Sequence, residues 1–137
     1  TSIDNKLNLA KFKTIVHGDA KLANFLFSSD NVSAVDFQYV GGGVGIKDVA
    51  YFLSSIFNAD ELFLNEAKCL DYYFNELNSA LVTFDSTANF THIESEWREL
   101  YPYAWADFYR FLQGWSPGHY KIHAYSTCMK NKVLECL

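Results

Sequence analysis

Short apolar segments separated by polar ones predict a β-hairpin in the first third of the chain. A β-branched pair, Ile15 and Val16, comes first, and apolar segments 25–27 and 32–35 then flank a polar stretch. This pattern predicts two antiparallel strands with a turn centred near Asp30. Residues 36–38 are expected to close the second strand, and the glycine-rich residues 41–45 to form a flexible loop at the mouth of a cleft.

From residue 48 onward, apolar residues recur with the spacing of one buried helical face. Asp48 and Asp60 are predicted to N-cap two successive helices. The predicted inward residues are Val49, Phe52, Leu53 and Ile56 in the first helix, and Phe63, Ala67, Leu70, Phe74 and Leu77 in the second.

Two or three more helices are expected in the last third. Thr91 and Glu94 form a predicted capping box for a third helix, which Pro102 should stop or kink. A fourth helix is predicted from about 103 to 112, with Trp105, Phe108 and Leu112 inward, and a last one after the turn at 116–118. With residues 1–14 as a helix end or linker, we expect a single domain (1–137) that is α+β and mainly α, with one hairpin followed by four or five helices.

Composition narrows the classes of partner. The formal net charge is −5 and the basic residues are scattered, which excludes a nucleic-acid surface and modestly favours a cationic substrate. No apolar run approaches the roughly 20 residues of a membrane span. The three cysteines (Cys69, Cys128 and Cys136) are odd in number and lack metal-site spacing, which indicates reduced thiols and a cytoplasmic protein.

The residues that carry chemistry surround the predicted hairpin. His17, Gly18 and Asp19 precede it, Asn24 stands five positions after Asp19, and Asp36 follows the second strand. A turn near Asp30 would place position 24 opposite position 36. An amide oxygen and a carboxylate that meet there would suit Mg²⁺, which fills its remaining positions with water and nucleotide phosphates.

Asp19 would then accept the proton of a substrate hydroxyl while the metal neutralises charge on the transferred phosphoryl group. The order His-x-Asp, Asn and Asp-Phe matches the protein-kinase signature, except that Gly18 replaces its Arg and Gln38 replaces its final Gly. With these departures, the segments 16–24 and 35–37 resemble the aminoglycoside phosphotransferase and choline kinase superfamily. Residues 36–53, 105–108 and 114–115 look most like its ecdysteroid kinase-like branch.

The resemblance implies the C-terminal lobe of a kinase-like fold and an ATP-dependent transfer to a small-molecule hydroxyl, on a sterol-like, choline-like or aminoglycoside-like alcohol. It implies Asp19 as catalytic base, Asn24 and Asp36 as Mg²⁺ and nucleotide ligands, and His17 and Asp48 as structural supports of the loop. The family's N-terminal nucleotide-binding lobe, with its Gly-rich strands and Lys, would have to precede residue 17. Since the chain also begins at Thr1, we expect part of a longer protein that is inactive as this fragment.

Two other interpretations remain open. The lobe could be a non-catalytic interaction module that retains these residues, or a metal-dependent hydrolase that uses Asp19 and Asp36. The histidines at 92, 119 and 123 are expected at the surface, since no further zinc ligands accompany them. The aromatic residues Trp97, Tyr101, Trp105 and Trp115 could line a site for an apolar or cationic substrate, but core packing is the favoured interpretation.

Overall fold

A short N-terminal helix comes first, the strands follow within the first third of the chain, and the longer helices come after them. The structure is a computed structural model that describes residues 2–136. Its elements are α1 (Ser2–Asn8), β1 (Thr14–Val16), β2 (Phe25–Phe27), β3 (Val32–Ala34), β4 (Gly41–Gly43), α2 (Ile46–Ile56), α3 (Ala59–Thr83), α4 (Phe90–Trp115) and α5 (Ala124–Leu134). The predicted mainly helical α+β class, with a small hairpin followed by several helices, is confirmed.

The glycine-rich segment is a strand and not the predicted loop. β4 pairs antiparallel with β1, with Gly43 opposite Thr14 and Gly41 opposite Val16. A Cβ on Gly43 would lie 3.0 Å from Val16 Cγ2, so the missing side chain lets the Val16 side chain cover the neighbouring strand. Strands β1 and β4 thus form one two-stranded sheet, and the hairpin strands β2 and β3 form a second one.

The hairpin register differs by one residue from the prediction. Phe25 pairs with Ala34 and Phe27 with Val32, so the turn is centred between Ser29 and Asp30. Asn24 therefore lies opposite Val35, whose N–H donates to the Asn24 carbonyl at 3.0 Å, and not opposite Asp36. The prediction was wrong because a turn centre half a residue earlier moves every cross-strand partner by one.

Helices α2 and α3 form as predicted, but other residues cap them. Gly45 precedes α2, and the Asp48 side chain accepts hydrogen bonds from the loop that follows β1. Asn58 caps α3 in a reciprocal capping box with Glu61, two residues before the predicted cap at Asp60. The buried residues of α3 are Leu62, Leu70 and Phe74, whereas the predicted inward residues Phe63 and Ala67 are exposed.

The predicted third and fourth helices are one continuous helix, α4, which contains Pro102. Proline removes one intrahelical hydrogen bond, but residues on both sides of it, including Tyr101 and Trp105, are buried, so tertiary packing holds the helix together. The cap of α4 is Asn89, which accepts from His92 N–H at 3.1 Å, and not Thr91. Residues Trp105, Phe108 and Leu112 are buried as predicted.

Helix α4 forms the centre of the core and packs against α1, α2, α3 and α5. The largest fully buried side chains are Trp105, Tyr101, Tyr125, Phe74, Ile46, Leu62, Leu100 and Leu112. The Glu96 carboxylate on α4 accepts from the backbone N–H groups of Lys11 (2.7 Å) and Phe12 (2.9 Å). The N-terminal segment is thereby fixed to the helical core, next to the strands that carry the candidate site. None of the helices in residues 2–136 has the length and apolar character needed to cross a membrane.

Candidate functional site

The loop between β1 and β2 is held by a carboxylate from α2. Asp48, in the first turn of α2, accepts from His17 N–H at 2.6 Å and from Gly18 N–H at 3.0 Å, one oxygen for each donor. Gly18 has a positive φ of 81°, and a Cβ there would collide with the Tyr39 carbonyl oxygen. Asp48 thus satisfies two donors in a loop conformation that only glycine adopts readily.

The His17 ring supports the same loop from the hairpin side. Its Nε2 lies 2.8 Å from the Val35 carbonyl oxygen, and its Nδ1 accepts from Asp19 N–H at 3.3 Å. Because a carbonyl only accepts, these partners place the ring proton on Nε2. The ring also packs against Phe25 and Phe37. His17 therefore links the Asp19 loop to both strand ends of the hairpin.

Asp19 is 7% exposed and is contacted by two nearby side chains. The Asn24 amide Nδ2 donates to Asp19 Oδ2 at 3.0 Å and to the Asp19 carbonyl at 2.8 Å. Lys21 Nζ forms an ion pair with the same Oδ2 at 2.9 Å. The hydrogen bond with Asp19 raises the pKa of Lys21, against a smaller lowering by burial. Two donors therefore fix one oxygen of the Asp19 carboxylate.

Asp36 lies just past the paired part of the hairpin. It is exposed and has a φ of +63°, a left-handed conformation that is uncommon outside glycine and that clusters at functional sites. Its charge contributes to the raised pKa of Lys21, the partner of Asp19. Asp19 and Asn24 are therefore in direct contact, and Asp36 is near enough to Lys21 for its charge to act on that side chain.

The oxygen atoms at this centre suit a hard cation with few protein ligands. Both Asn24 hydrogen bonds use its Nδ2 atom, and among the described residues no donor binds its Oδ1. The amide oxygen and the Asp36 carboxylate are the kinds of ligand that Mg²⁺ takes alongside water and phosphate. Within residues 2–136 no three His, Cys, Asp or Glu side chains converge on a metal site.

A cavity of about 800 Å³ opens beside Asp19. Gly18, Asp19 and Lys21 lie at one part of its wall, and the helices contribute the aromatic residues Tyr51, Phe108, Phe111 and Trp115. Trp115 is 66% exposed and stacks on Phe111, so the prediction of core packing is wrong for it. The prediction is confirmed for Trp97, Tyr101 and Trp105, which are buried.

Three residues near Asp19 were not identified from the sequence. Lys21 is two positions after Asp19, and Tyr51 is one helical turn after Asp48, so their positions offered a local signal. Burial, followed by the charge of Asp19, raises the pKa of Tyr51. Lys121 comes from the segment before α5, and its distance along the chain from Asp19 gave no such signal.

The histidines near the C-terminus differ from their predicted surface positions. His123 is half-buried and caps α5, where its Nδ1 accepts from Ser126 N–H at 3.2 Å. Burial lowers the pKa of His123. His92 is exposed as predicted, and His119 stacks on Tyr120 with ring centroids 4.6 Å apart.

The chain matches the model of a known protein family. The model of the ecdysteroid kinase-like family matches residues 3–85, which include β1 to β4, α2, α3 and all five predicted site residues. No curated protein and no solved structure matches the chain. The family match covers more than half of the 137 residues.

Proposed function

The chain belongs to the ecdysteroid kinase-like family, and on that premise we propose that it transfers the γ-phosphoryl group of ATP to a hydroxyl of a small molecule. The family indicates a kinase-like phosphotransferase of small-molecule substrates in general. The use of ATP and Mg²⁺ and the roles of individual residues are our proposal. We also propose a cytoplasmic location, on the basis of the odd number of cysteines.

The fixed Asp19 carboxylate at the wall of a cavity is the observation that carries this proposal. Asn24 and Lys21 both bind Asp19 Oδ2, and Asp19 lies at the cavity wall, so we propose that Oδ1 meets a hydroxyl bound there. A general base must lie within hydrogen-bond reach of the proton it accepts, in a fixed orientation. Asp19 would take the hydroxyl proton as the alcohol oxygen attacks the terminal phosphorus.

Asn24 and Asp36 would hold Mg²⁺ through the amide Oδ1 and the carboxylate. The metal would neutralise charge on the transferred phosphoryl group. The left-handed backbone of Asp36 supports this role, because strained conformations persist where a function requires a side-chain direction. The resemblance further implies an N-terminal nucleotide-binding lobe. We therefore propose that residues 1–137 act as the catalytic lobe and that this lobe alone binds nucleotide weakly.

The test combines nucleotide binding and phosphoryl transfer in the full-length protein. Calorimetry measures Mg²⁺–ATP affinity, and transfer of labelled phosphate is followed with steroid alcohols, choline-type alcohols and aminoglycosides as acceptors. We expect Asp19→Asn to lower the transfer rate about 10²- to 10⁴-fold with ATP affinity unchanged, because a base acts on the acceptor hydroxyl. Asp36→Ala should weaken Mg²⁺–ATP binding itself.

Asp30→Asn serves as the matched control, since Asp30 lies in the exposed hairpin turn, where its carboxylate accepts from Ser29 Oγ at 3.1 Å. Loss of ATP affinity in Asp19→Asn would contradict the assigned role of a base. An absence of metal-dependent ATP binding by the wild-type protein would favour a non-catalytic interaction lobe. Phosphate release without any acceptor would favour a metal-dependent hydrolase.

A further inference from the structure

Lys121 is a buried lysine whose ammonium group is surrounded by aromatic rings. It is 7% exposed, and its Nζ lies 5.5 Å from the ring centroid of Phe108, 5.6 Å from that of Tyr51 and 6.0 Å from that of Tyr120. The hydrogen bond of this group is a long one, 3.3 Å, to Ser54 Oγ. Among the described residues it forms no ion pair. The chain thus places its own cation in an aromatic box and leaves part of its donor capacity unused.

This box lies next to the proposed catalytic base. Burial, followed by the charge of Lys21, lowers the pKa of Lys121, and the charge of Asp19 acts in the opposite direction. The Tyr51 ring contacts the Lys121 ammonium, and the charge of Asp19 also acts on the Tyr51 hydroxyl. Lys121 and Asp19 therefore share Tyr51 as a neighbour, although they come from opposite ends of the chain.

Two rings of the box also line the cavity. Tyr51 and Phe108 belong to its wall, so Lys121 lies directly behind a surface that a bound acceptor would contact. The third ring, Tyr120, is 75% exposed and can move without disturbing the core. A movement of the exposed Tyr120 side chain would give a bound ligand access to the remaining protons of the Lys121 ammonium.

This arrangement predicts which charge on an acceptor the site would favour. A quaternary ammonium ligand binds on aromatic faces of the kind that Lys121 already occupies, and its positive charge would be repelled at this short range. An ammonium with free donors in a partly desolvated position binds carboxylates well. The net charge of −5 favours cations at long range, but the local charge at this end of the site is opposite.

We propose that Lys121 is a specificity residue of the acceptor subsite, where it excludes cationic alcohols and binds the carboxylate of an anionic alcohol. This assignment rests on the proposed function, since it takes Asp19 as the residue that contacts the acceptor hydroxyl.

Binding of three matched probes to the full-length protein, without ATP, tests the assignment. The probes share one ring and one hydroxymethyl group: 4-(hydroxymethyl)benzoate is anionic, 1,4-benzenedimethanol is neutral and 4-(hydroxymethyl)benzylamine is cationic. Their dissociation constants are measured by ligand-observed nuclear magnetic resonance. For the wild-type protein we expect the benzoate to bind tightest and the benzylamine weakest. In Lys121→Met the benzoate should lose about tenfold or more in affinity, the loss of one charge-assisted contact, and the benzylamine should gain.

Lys130→Met is the matched control, because Lys130 also lies over an aromatic ring, that of Tyr109, at 5.4 Å, but on α5. It should leave all three affinities unchanged. Lys121→Arg keeps the charge and should keep the preference for the benzoate. If Lys121 had a merely structural role, arginine would not restore this preference. Wild-type protein that binds the benzylamine or the neutral probe as well as the benzoate overturns the assignment, as does a Lys121→Met variant with an unaltered preference. The measurement is independent of phosphoryl transfer, so failure of the proposed reaction is distinguishable from failure of this assignment.

Discussion

Asp48 is the residue on which the conformation of the candidate catalytic loop depends most. Its two oxygens accept from consecutive backbone N–H groups, those of His17 and Gly18, at 2.6 and 3.0 Å. Hydrogen bonds to an ionised group are stronger than neutral ones, and loss of an acceptor leaves a donor without a partner. The position of Asp19, the next residue along the chain, follows from these two contacts.

We expect Asp48→Asn to lower the free energy of unfolding by about 1–3 kcal/mol. The amide nitrogen would replace one acceptor oxygen with a donor, which would face a backbone N–H donor. Urea denaturation followed by circular dichroism measures the change. Asp60→Asn is the control, since Asp60 is exposed in the first turn of α3. A variant at position 48 as stable as the one at position 60 would show that the loop holds its shape without this carboxylate.

For contacts between residues that are close along the chain, the sequence contained most of the information. The five-residue spacing placed Asn24 near Asp19, and the resemblance pointed to Asp48 as a structural support of the loop. Lys121 could not be identified in this way, because its approach to Asp19 depends on how α4 and the segment before α5 fold back. Long-range contacts of this kind leave no periodic pattern in the sequence.

At the scale of elements, strand and helix types were predicted better than their ends. The hairpin was correct, but its register depended on a turn centre that the sequence located only to within one residue. The helix boundaries at Asp60 and Thr91 were wrong because Asn58 and Asn89, a few residues earlier, offer the same capping chemistry. Continuity through Pro102 depends on packing against other helices, which a local pattern does not contain.

The capping box of α3 gives a prediction at this scale. Asn58 Oδ1 accepts from Glu61 N–H at 3.0 Å, and Glu61 Oε2 accepts from Asn58 N–H at 2.8 Å. We expect Asn58→Ala to lower the free energy of unfolding by about 1 kcal/mol, and to speed hydrogen exchange in the first turn of α3. Asn65→Ala, in the interior of the same helix, is the control and should cost less, because alanine favours a helix interior. Equal losses for the two variants would contradict the importance of the cap.

In the whole molecule, a joint of packed aromatic rings, Trp97 and Tyr73, connects the site to the helical core. Gly45 precedes α2 and is packed so closely that a Cβ would lie 2.7 Å from the Trp97 ring on α4. Tyr73 on α3 stacks on Trp97 with centroids 6.5 Å apart, and Trp97 Nε1 donates to the Phe12 carbonyl at 3.2 Å. Helices α2, α3 and α4 and the N-terminal segment thus meet at Trp97. The sequence predicted core packing for Trp97, but not that Tyr73 would stack on it.

This joint should make the stability of the molecule sensitive to alkaline pH. Burial, followed by the negative charge of Asp48, raises the pKa of Tyr73 from 10.0 to about 12. Below pH 10 the hydroxyl is protonated in both the folded and the unfolded chain, so its contribution to stability is complete. Between pH 10 and 12 the unfolded chain releases this proton while the folded chain keeps it. The free energy of unfolding should therefore fall as pH rises through this window, by roughly 3 kcal/mol at most for a shift of two units.

Tyr73→Phe removes the titrating group while it keeps the ring on Trp97. We expect its stability to match that of the wild type near pH 7 and to fall less steeply from pH 10 to 12, as measured by urea denaturation at a series of pH values. Tyr72→Phe is the control, because Tyr72 is 68% exposed on the same helix, and it should leave the pH profile unchanged. Burial raises the pKa of Tyr101 to about 12 as well, so the variant should retain part of the alkaline slope. If Tyr73→Phe and wild type lose stability in parallel above pH 10, the Tyr73 hydroxyl does not contribute to the alkaline sensitivity of this joint.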